Sequence, residues 1–461
     1  MQFILDTKPK DAFRTYFEVC PTLQANDYKE PKMVVEINNE NKTEGSDVMT
    51  TNINEVNEIP FEGKPFTYVS LFSGIGGFEQ ALNKLGGTCV MASEIDKFAN
   101  QSYELLYGHK TVGDITKVEA EDVPNHDVLV GGFPCQAFSV AGKRLGFSDT
   151  RGTLFFEIAR LAKVKRPKAL LLENVKGLVG HDKGKTLDTI VTTLNDIGYT
   201  VDFNVLNSKY FGVPQNRERI FIIAMRDDLV KPAKRAIEGT NVVAKGKRRI
   251  ADLPGVKTFN FNWPEQTEVT TRLRDVLEPV VDERYYLSEE KTAKLVTQLR
   301  VNNDPLAEDQ IRATLTPDRE EKRQQGRRFK ENDEPAFTLN TQDRHGILDS
   351  RESFVKSVGN TNPSGNGMNG KVFDIEAGLS PTITTNKGEG LRITSAPHYH
   401  IRKLTPLECF RLQGFPDSAY ETLSANGVSN SQLYKQAGNA VTVNVIDAIG
   451  SRLLPMIGGE A

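Results

Sequence analysis

The chain has 461 residues, is 38% hydrophobic and 26% charged, and carries a formal net charge of −3, an ordinary soluble composition long enough for two or three domains. Its start, MQFILDTKPKD, has no basic stretch ahead of an apolar segment and no small-residue cleavage site, so neither a secretory leader nor a membrane is expected and the location is read as cytoplasmic. Cys20, Cys89, Cys135 and Cys409 never approach CxxC spacing and the six histidines are scattered, which argues against a zinc site or a disulfide framework; no metal is expected.

Residues 1–62 hold twelve acids and six bases, so the remainder of the chain is slightly basic. From Asn38 to about Lys64 the chain is polar, acidic and poor in apolar residues, as a flexible connector is. Residues 1–64 are therefore read as an N-terminal extension and linker, with order beginning near Pro65. Between Phe66 and about Met225, six apolar runs alternate with helix-length amphipathic stretches: TYVSL, CVMAS, DVLVGG, ALLLEN, FNVLN and IFIIAM. That alternation predicts an α/β domain with a parallel sheet covered by helices.

The chemistry sits at the ends of those runs. Phe72-Ser-Gly-Ile-Gly-Gly-Phe78 joins the first run to the helix-like EQALNKLG. Glycines there let backbone approach a ligand and put amides at a helix N-terminus. The G-x-G-G spacing departs from the dinucleotide fingerprint G-x-G-x-x-G, which disfavours NAD. Glu94 ends the next run, where it can accept from both ribose hydroxyls, and Asp114 of Gly113-Asp114-Ile115 can accept from an adenine amino group. In this order the three reinforce a nucleoside site.

GGFPCQAFS follows the third run, and its proline redirects the chain so that Cys135 points into a crevice. The plain alternative is a buried structural cysteine. Cys135 has no adjacent Lys or Arg, and a free thiol is mostly protonated at neutral pH, so attack on a pyrimidine ring requires the ring to be made electrophilic. Glu173, which closes the fourth run with Asn174, can supply that by protonating ring nitrogen 3 of a cytosine. An exposed Glu is ionised at pH 7, so a dry pocket and the base must share the cost. Between Gln136 and Thr153, Gly142, Gly146 and Gly152 accompany Lys143, Arg144 and Arg151, a pattern for a mobile basic lid. Arg217 and Arg219, at i and i+2 before IFIIAM, face the same way and suit an oxygen acceptor; a surface salt-bridge ladder is the alternative.

From Lys231 the pattern becomes irregular. Residues 231–249 carry seven bases against one acid, either a solvated face or a phosphate-contacting linker. Ile311-Arg-Ala-Thr-Leu-Thr, Ala336-Phe-Thr-Leu-Asn-Thr and Ser380-Pro-Thr-Ile-Thr-Thr form a weak strand-like repeat, with a fainter echo at Cys20-Pro-Thr-Leu. Helical character returns in LTPLECFRLQGFP and in YKQAGNAVTVNVIDAIGSRLL.

The ordered set FSGIGGF, SEID, GDI, GGFPCQAFS, ENV, QNRERIF, LTPLECFRLQGFP and QAGNAV resembles the bacterial and phage DNA (cytosine-5)-methyltransferases, with the stretch from GGFPCQAFSVAGK to DTRGTLFFEIAR especially similar to the HhaI type. The resemblance covers about residues 66–228 and 402–456. It implies a Rossmann-like S-adenosylmethionine-dependent methyltransferase domain (65–228 and 402–461) with a smaller, irregular, β-rich target-recognition domain inserted at 229–401. It further implies that Cys135 adds to carbon 6 of a flipped-out cytosine, that Glu173 acts at nitrogen 3, and that Arg219, with Arg217 nearby, holds the carbonyl. Phe72, Gly74, Gly76, Glu94, Ile95, Asp114, Ile115 and Pro134 are implied to form the S-adenosyl-L-methionine site, closed by Asn439 and Val441.

The partner implied is double-stranded DNA. A cognate restriction endonuclease would act on the same sequence without being bound, and a monomer is expected. The N-terminal extension departs from compact members of the family; it reads either as a dispensable tail or, over 13–37, as a stray recognition-like element. Two competing readings are an RNA-directed enzyme with the same catalytic motifs and a DNA-binding protein without catalysis.

Overall fold

The computed structural model describes residues 64–134, 154–233, 237–301, 310–319, 326–350 and 400–458, together with the strand backbones 2–6, 14–17, 33–36, 357–360, 371–374 and 392–394. Cys135, the lid sequence 136–153 and the repeat at Ser380 lie outside them. Met1–Pro60 and Phe61–Ala461 are separate units. In the first, β1 (Gln2–Asp6) pairs antiparallel with both β2 (Arg14–Phe17) and β3 (Met33–Glu36).

The second unit is built on six strands: β4 (Phe66–Leu71), β5 (Gly87–Ser93), β6 (Val128–Gly132), β7 (Ala169–Val175), β8 (Tyr199–Asn207) and β9 (Glu218–Arg226). Their order is β5-β4-β6-β7-β9-β8. All six are runs anticipated above, and their composition shows why both faces are covered. Successive side chains of a strand point to opposite faces. In β7, Leu170 and Leu172 enter one core, shared with helices α3 (Leu154–Lys165) and α4 (Lys185–Asp196), while Ala169 and Leu171 enter the other. That second core is closed by α1 (Gly77–Lys84) and α10 (Val443–Gly458). Strand β9 divides likewise, with Ile220, Ile222 and Ala224 on one side and Phe221, Ile223 and Met225 on the other.

One expectation is corrected. β4, β5, β6 and β7 pair in parallel, but β9 runs antiparallel to both β7 and β8. A parallel neighbour needs a crossover long enough to return the chain to the starting edge. The link 208–217 holds only a short 3-10 turn at Ser208–Tyr210, so β9 turns back beside β8.

Helix α2 (Lys97–Tyr107) is capped by Asp96, whose Oδ1 accepts from the amides of Phe98 at 2.9 Å and Ala99 at 3.2 Å. Helix α5 (Val242–Ala251) contains most of the basic run, and three of its four cations are engaged within the fold. Lys247 pairs with Asp202 at 2.8 Å and Arg249 with Asp188 at 2.9 Å, while Arg248 donates to the carbonyls of Ile237 and Gly239. These contacts dock α5 against β8 and α4 and leave Lys231 and Lys245 as the exposed cations among the described residues of that segment.

After α6 (Glu289–Val301), strands β10 (Ile311–Leu315), β11 (His345–Asp349) and β15 (His400–Lys403) form an antiparallel sheet; β12 (Ser357–Asn360), β13 (Lys371–Asp374) and β14 (Arg392–Thr394) form another. The core beneath β10 and β11 is shared with α7 (Pro406–Arg411), α8 (Asp417–Ala425) and α9 (Asn430–Asn439) through Ile311, Ile347, Phe410, Leu423 and Leu433. α10 alone of these C-terminal helices carries its apolar face back to the main sheet. Thr405 and Glu408 form a capping box at α7, and the buried Glu408 carboxylate takes a two-pronged ion pair from Arg402 at 2.7 and 2.8 Å.

Behind the first glycine turn lies a fully buried carboxylate, Glu79 of α1. Tyr103 donates to its Oε1 at 3.0 Å, and Oε2 has no partner among the described residues. Burial, only partly offset by such hydrogen bonds, pushes Glu79 from the ordinary 4.5 up to about 7. An acid raised in the folded state stabilises fully below its unfolded value, and that advantage is lost as pH rises to the folded value. The neutral isostere Glu79→Gln should therefore gain on the native chain between pH 5 and pH 8, by about 3 kcal/mol at the upper end. Denaturant melts at both pH values check this; a stability difference that stays constant with pH would refute the assignment.

Candidate active site

The turn after β4 is assembled from left-handed residues. Gly74 has φ 58° and Gly76 φ 82°, and Phe72, which has a side chain, sits at φ 56°. Such a conformation costs a non-glycine residue about 1–3 kcal/mol and concentrates at functional sites. Here it accompanies a Phe72 that lines a cleft of about 460 Å³ at the C-terminal ends of β4, β5, β6 and β7.

The three glycines serve different neighbours. Gly74 lines the cleft, and its amide donates to Glu94 Oε2 at 2.9 Å. Gly76 lies behind the turn and outside the cleft lining: a Cβ there would come within 2.3 Å of the Tyr107 ring, whose hydroxyl donates to the Gly76 carbonyl at 2.7 Å. A Cβ on Gly77 would strike Val441 at 2.7 Å, so this position admits the C-terminal segment.

Glu94 is oriented from three amides, since Ile95 and Asp96 also donate to its Oε1, each at 2.8 Å. Ile95, 73% exposed, presents an apolar wall beside it. Asp114 accepts from the Thr116 amide and hydroxyl at 3.1 and 2.7 Å, and these bonds hold its carboxyl below the ordinary range. Asp114, the buried Ile115, Pro134, Asn439 and Val441 all line the same cleft.

The other end of the cleft holds the acid. Glu173, in register with Gly132, receives Arg219 Nε on its Oε1 at 3.0 Å. A Cβ on Gly132 would approach Glu173 Oε2 to 3.2 Å, so the second glycine of GGFPC leaves room for this carboxylate. Asn174 Nδ2 donates to the Phe133 carbonyl at 2.7 Å. The buried side chain after the acid thus ties down the backbone two residues before Cys135.

Arg217 lines the cleft but spends its guanidinium on backbone. Nη1 donates to the Leu339 carbonyl at 3.0 Å, and Nη2 to those of Ala440 at 2.8 Å and Gly438 at 3.3 Å. Burial, with the neighbouring Arg219 cation, lowers its pKa to about 9. The expectation that both arginines present free donors to one acceptor gives way to a division: Arg219 holds the acid, and Arg217 fastens the residues before β9 to two distant segments. Gln215 completes that junction, donating to the Leu412 carbonyl at 2.8 Å and accepting from the Leu339 amide at 3.2 Å.

Sequence reasoning missed the roles of Asn174 and Gln215 and of the cleft residues Asp96, Gln432, Lys435 and Gln436. Most lie within quoted motifs, SEID, ENV, QNRERIF and YKQAGNAV, but their partners are up to 339 residues away.

A family model described as C-5 cytosine-specific DNA methylase matches residues 66–454. The orphan methyltransferase M.SPRI of Bacillus phage SPR is 38% identical, over 84% of this chain and 97% of that protein. M.SPBetaI of Bacillus phage SPbeta is 40% identical over the same shares, and the type II methyltransferase M1.ScrFI of Lactococcus lactis subsp. cremoris is 36% identical over 86% and 81%. The solved Dnmt2 methyltransferase of S. pombe shares the fold at a TM-score of 0.51 and 20% identity, covering 85% of this chain and 98% of its own.

Proposed function

The chain belongs to the C-5 cytosine-specific DNA methylase family and is a DNA (cytosine-5-)-methyltransferase; from that premise we propose that it methylates carbon 5 of a cytosine flipped out of a short, specific double-stranded DNA sequence, through a covalent adduct on Cys135. The observation that carries the reading is the single cleft joining Glu94 and Asp114 to the Glu173–Arg219 pair, with Pro134, the residue before Cys135, in its wall.

The cleft suits S-adenosyl-L-methionine. Glu94, held by three amides, keeps a lone pair on Oε2 for a ribose hydroxyl, Ile95 and Phe72 offer apolar surface to an adenine, and Asp114 faces the same space. When bound, this cofactor supplies the methyl group on an electrophilic sulfonium.

Cytosine carbons 5 and 6 are inaccessible while the base is stacked, so the base must leave the duplex to reach the cleft. Cys135 Sγ adds to carbon 6 while Glu173 delivers a proton to nitrogen 3, and Arg219 holds the carbonyl oxygen beside it. Carbon 5, made nucleophilic, takes the methyl group; solvent water then removes its proton, the carbon–sulfur bond breaks to return the Cys135 thiolate, and nitrogen 3 gives its proton back to Glu173. Arg217 acts as a positioning residue through the Leu339, Gly438 and Ala440 carbonyls. Residues 229–401 serve as the target-recognition domain, set against the major groove. A monomer in the cytoplasm suffices, with no bound endonuclease, in either phage self-protection or restriction–modification.

Bisulfite sequencing of plasmid DNA from a host lacking cytosine methylation, with and without this chain, tests the proposal. One short sequence protected only when the chain is expressed is the expected result. Uniform conversion despite soluble, cofactor-binding protein would overturn it in favour of an RNA acceptor or a silent DNA-binding role.

A further inference from the structure

Helix α9 reaches the cofactor end of the cleft from the far end of the chain, and three polar contacts hold it there. Lys435 Nζ meets Asp96 Oδ2 at 2.5 Å, Gln436 Nε2 donates to the Phe98 carbonyl at 3.1 Å, and Ser102 Oγ donates to Gln436 Oε1 at 3.1 Å. Asp96 is placed to transmit this contact. Its Oδ1 caps α2, and its own amide donates to Glu94 Oε1. Glu94 in turn receives the Gly74 amide. One ion pair therefore bears on the acid, the glycine turn and the helix that frame one end of the cleft.

The same helix is anchored about one turn further on by Arg217, through the carbonyls of Gly438 and Ala440, and Gly438 packs so closely on Asn340 that a Cβ would lie 2.8 Å from that backbone. With its C-terminal end fixed by a buried arginine, α9 relies on Lys435 and Gln436 to set its distance from the Glu94 turn. Asp96 is held below the ordinary carboxylate range, chiefly by its hydrogen bond to Lys435, so it is charged throughout the working pH range.

We propose that Lys435 is a positioning residue for cofactor binding: paired with Asp96 at the junction of α9 and α2, it holds the Glu94 turn in the conformation that takes the ribose of S-adenosylmethionine. This deepens the reading of the cleft given above and rests on it.

The test is calorimetric titration of S-adenosylmethionine into the full chain and its variants Lys435→Met, Lys435→Arg, Asp96→Asn and the Asp96→Asn/Lys435→Met double. Asn caps a helix as well as Asp does, so Asp96→Asn removes the ion pair while keeping α2 capped. For a half-exposed pair each single loss should weaken binding about fivefold. The double variant should be no weaker than either single, because both remove one interaction. Lys435→Arg should bind within about twofold of the native chain, and the loss in the other variants should appear as a rise in KM for cofactor.

Native affinity in Lys435→Met or in Asp96→Asn, multiplying losses in the double variant, or a fall in kcat with KM for cofactor unchanged would each overturn the proposal. A native chain that does not bind S-adenosylmethionine would instead overturn the reading of the cleft itself, and the positioning role with it.

Discussion

Glu173→Gln should lower the rate of methyl transfer by about a thousandfold while leaving affinity for S-adenosylmethionine unchanged. Gln fills the same space beside Gly132, and its amide oxygen can still accept from Arg219 Nε, which lies 3.0 Å from Glu173 Oε1 in the native chain. The substitution therefore spares the packing at the end of β7. What it removes is the ability to hand a proton to nitrogen 3, and a positioned general acid contributes about a hundredfold to ten-thousandfold in rate. The demand here falls toward the upper end, because a neutral cytosine is a poor acceptor for a thiolate until that nitrogen is protonated. Glu94 stands at the other end of the cleft with its own three amide donors, so cofactor binding should not register the change. Single-turnover transfer of labelled methyl groups at saturating DNA reads the rate directly, and titration of cofactor reads the affinity. A variant within about tenfold of the native rate would leave Glu173 as no more than a partner for Arg219.

The parts of this site that could be read from sequence are those in which one residue type at a strand end carries the chemistry. Glu94 and Glu173 are acids closing apolar runs, and the runs are legible because strands buried on both faces have almost no polar interruptions. The direction of β9 was not legible in its own composition, since IFIIAM buries the same residues whichever way it runs; only the short link before it carried that signal. Nor was the role of Arg217. Its spacing from Arg219 fixes which way two extended side chains point, but not that carbonyls 122 to 223 residues away would engage both terminal nitrogens of one of them. Gly76 carries the same lesson: a glycine turn signals close approach without saying to what, and here the neighbour is Tyr107. The basic run at 231–249 shows the converse, because its charge suggested an external anion while Asp188 and Asp202 supply two of its partners from within. Long-range partners of this kind leave no mark on local periodicity.

Cys135→Ser should abolish both methyl transfer, by at least about a thousandfold, and the denaturant-stable complex that the native chain forms with a duplex containing 5-fluorocytosine at its target. What can activate the attacking atom decides the outcome. A thiol reaches its nucleophilic form to a few per cent at neutral pH without help, whereas a serine hydroxyl needs an adjacent base. No histidine is among the described residues lining the cleft, and its acid Glu173 is paired with Arg219. Serine would therefore stay protonated in a pocket that still binds cofactor and DNA. The fluorinated base separates addition from release. Carbon 6 can be attacked and carbon 5 methylated, but fluorine at carbon 5 cannot leave as a proton does, so the carbon–sulfur bond is not broken and the protein stays attached. Gel electrophoresis under denaturing conditions with labelled duplex should show the slow-migrating band for the native chain, a slowly accumulating band for Glu173→Gln, and none for Cys135→Ser. A band of undiminished intensity from Cys135→Ser would place the nucleophile elsewhere, whereas methylation by the native chain without any trapped band would mean that transfer proceeds without covalent attachment.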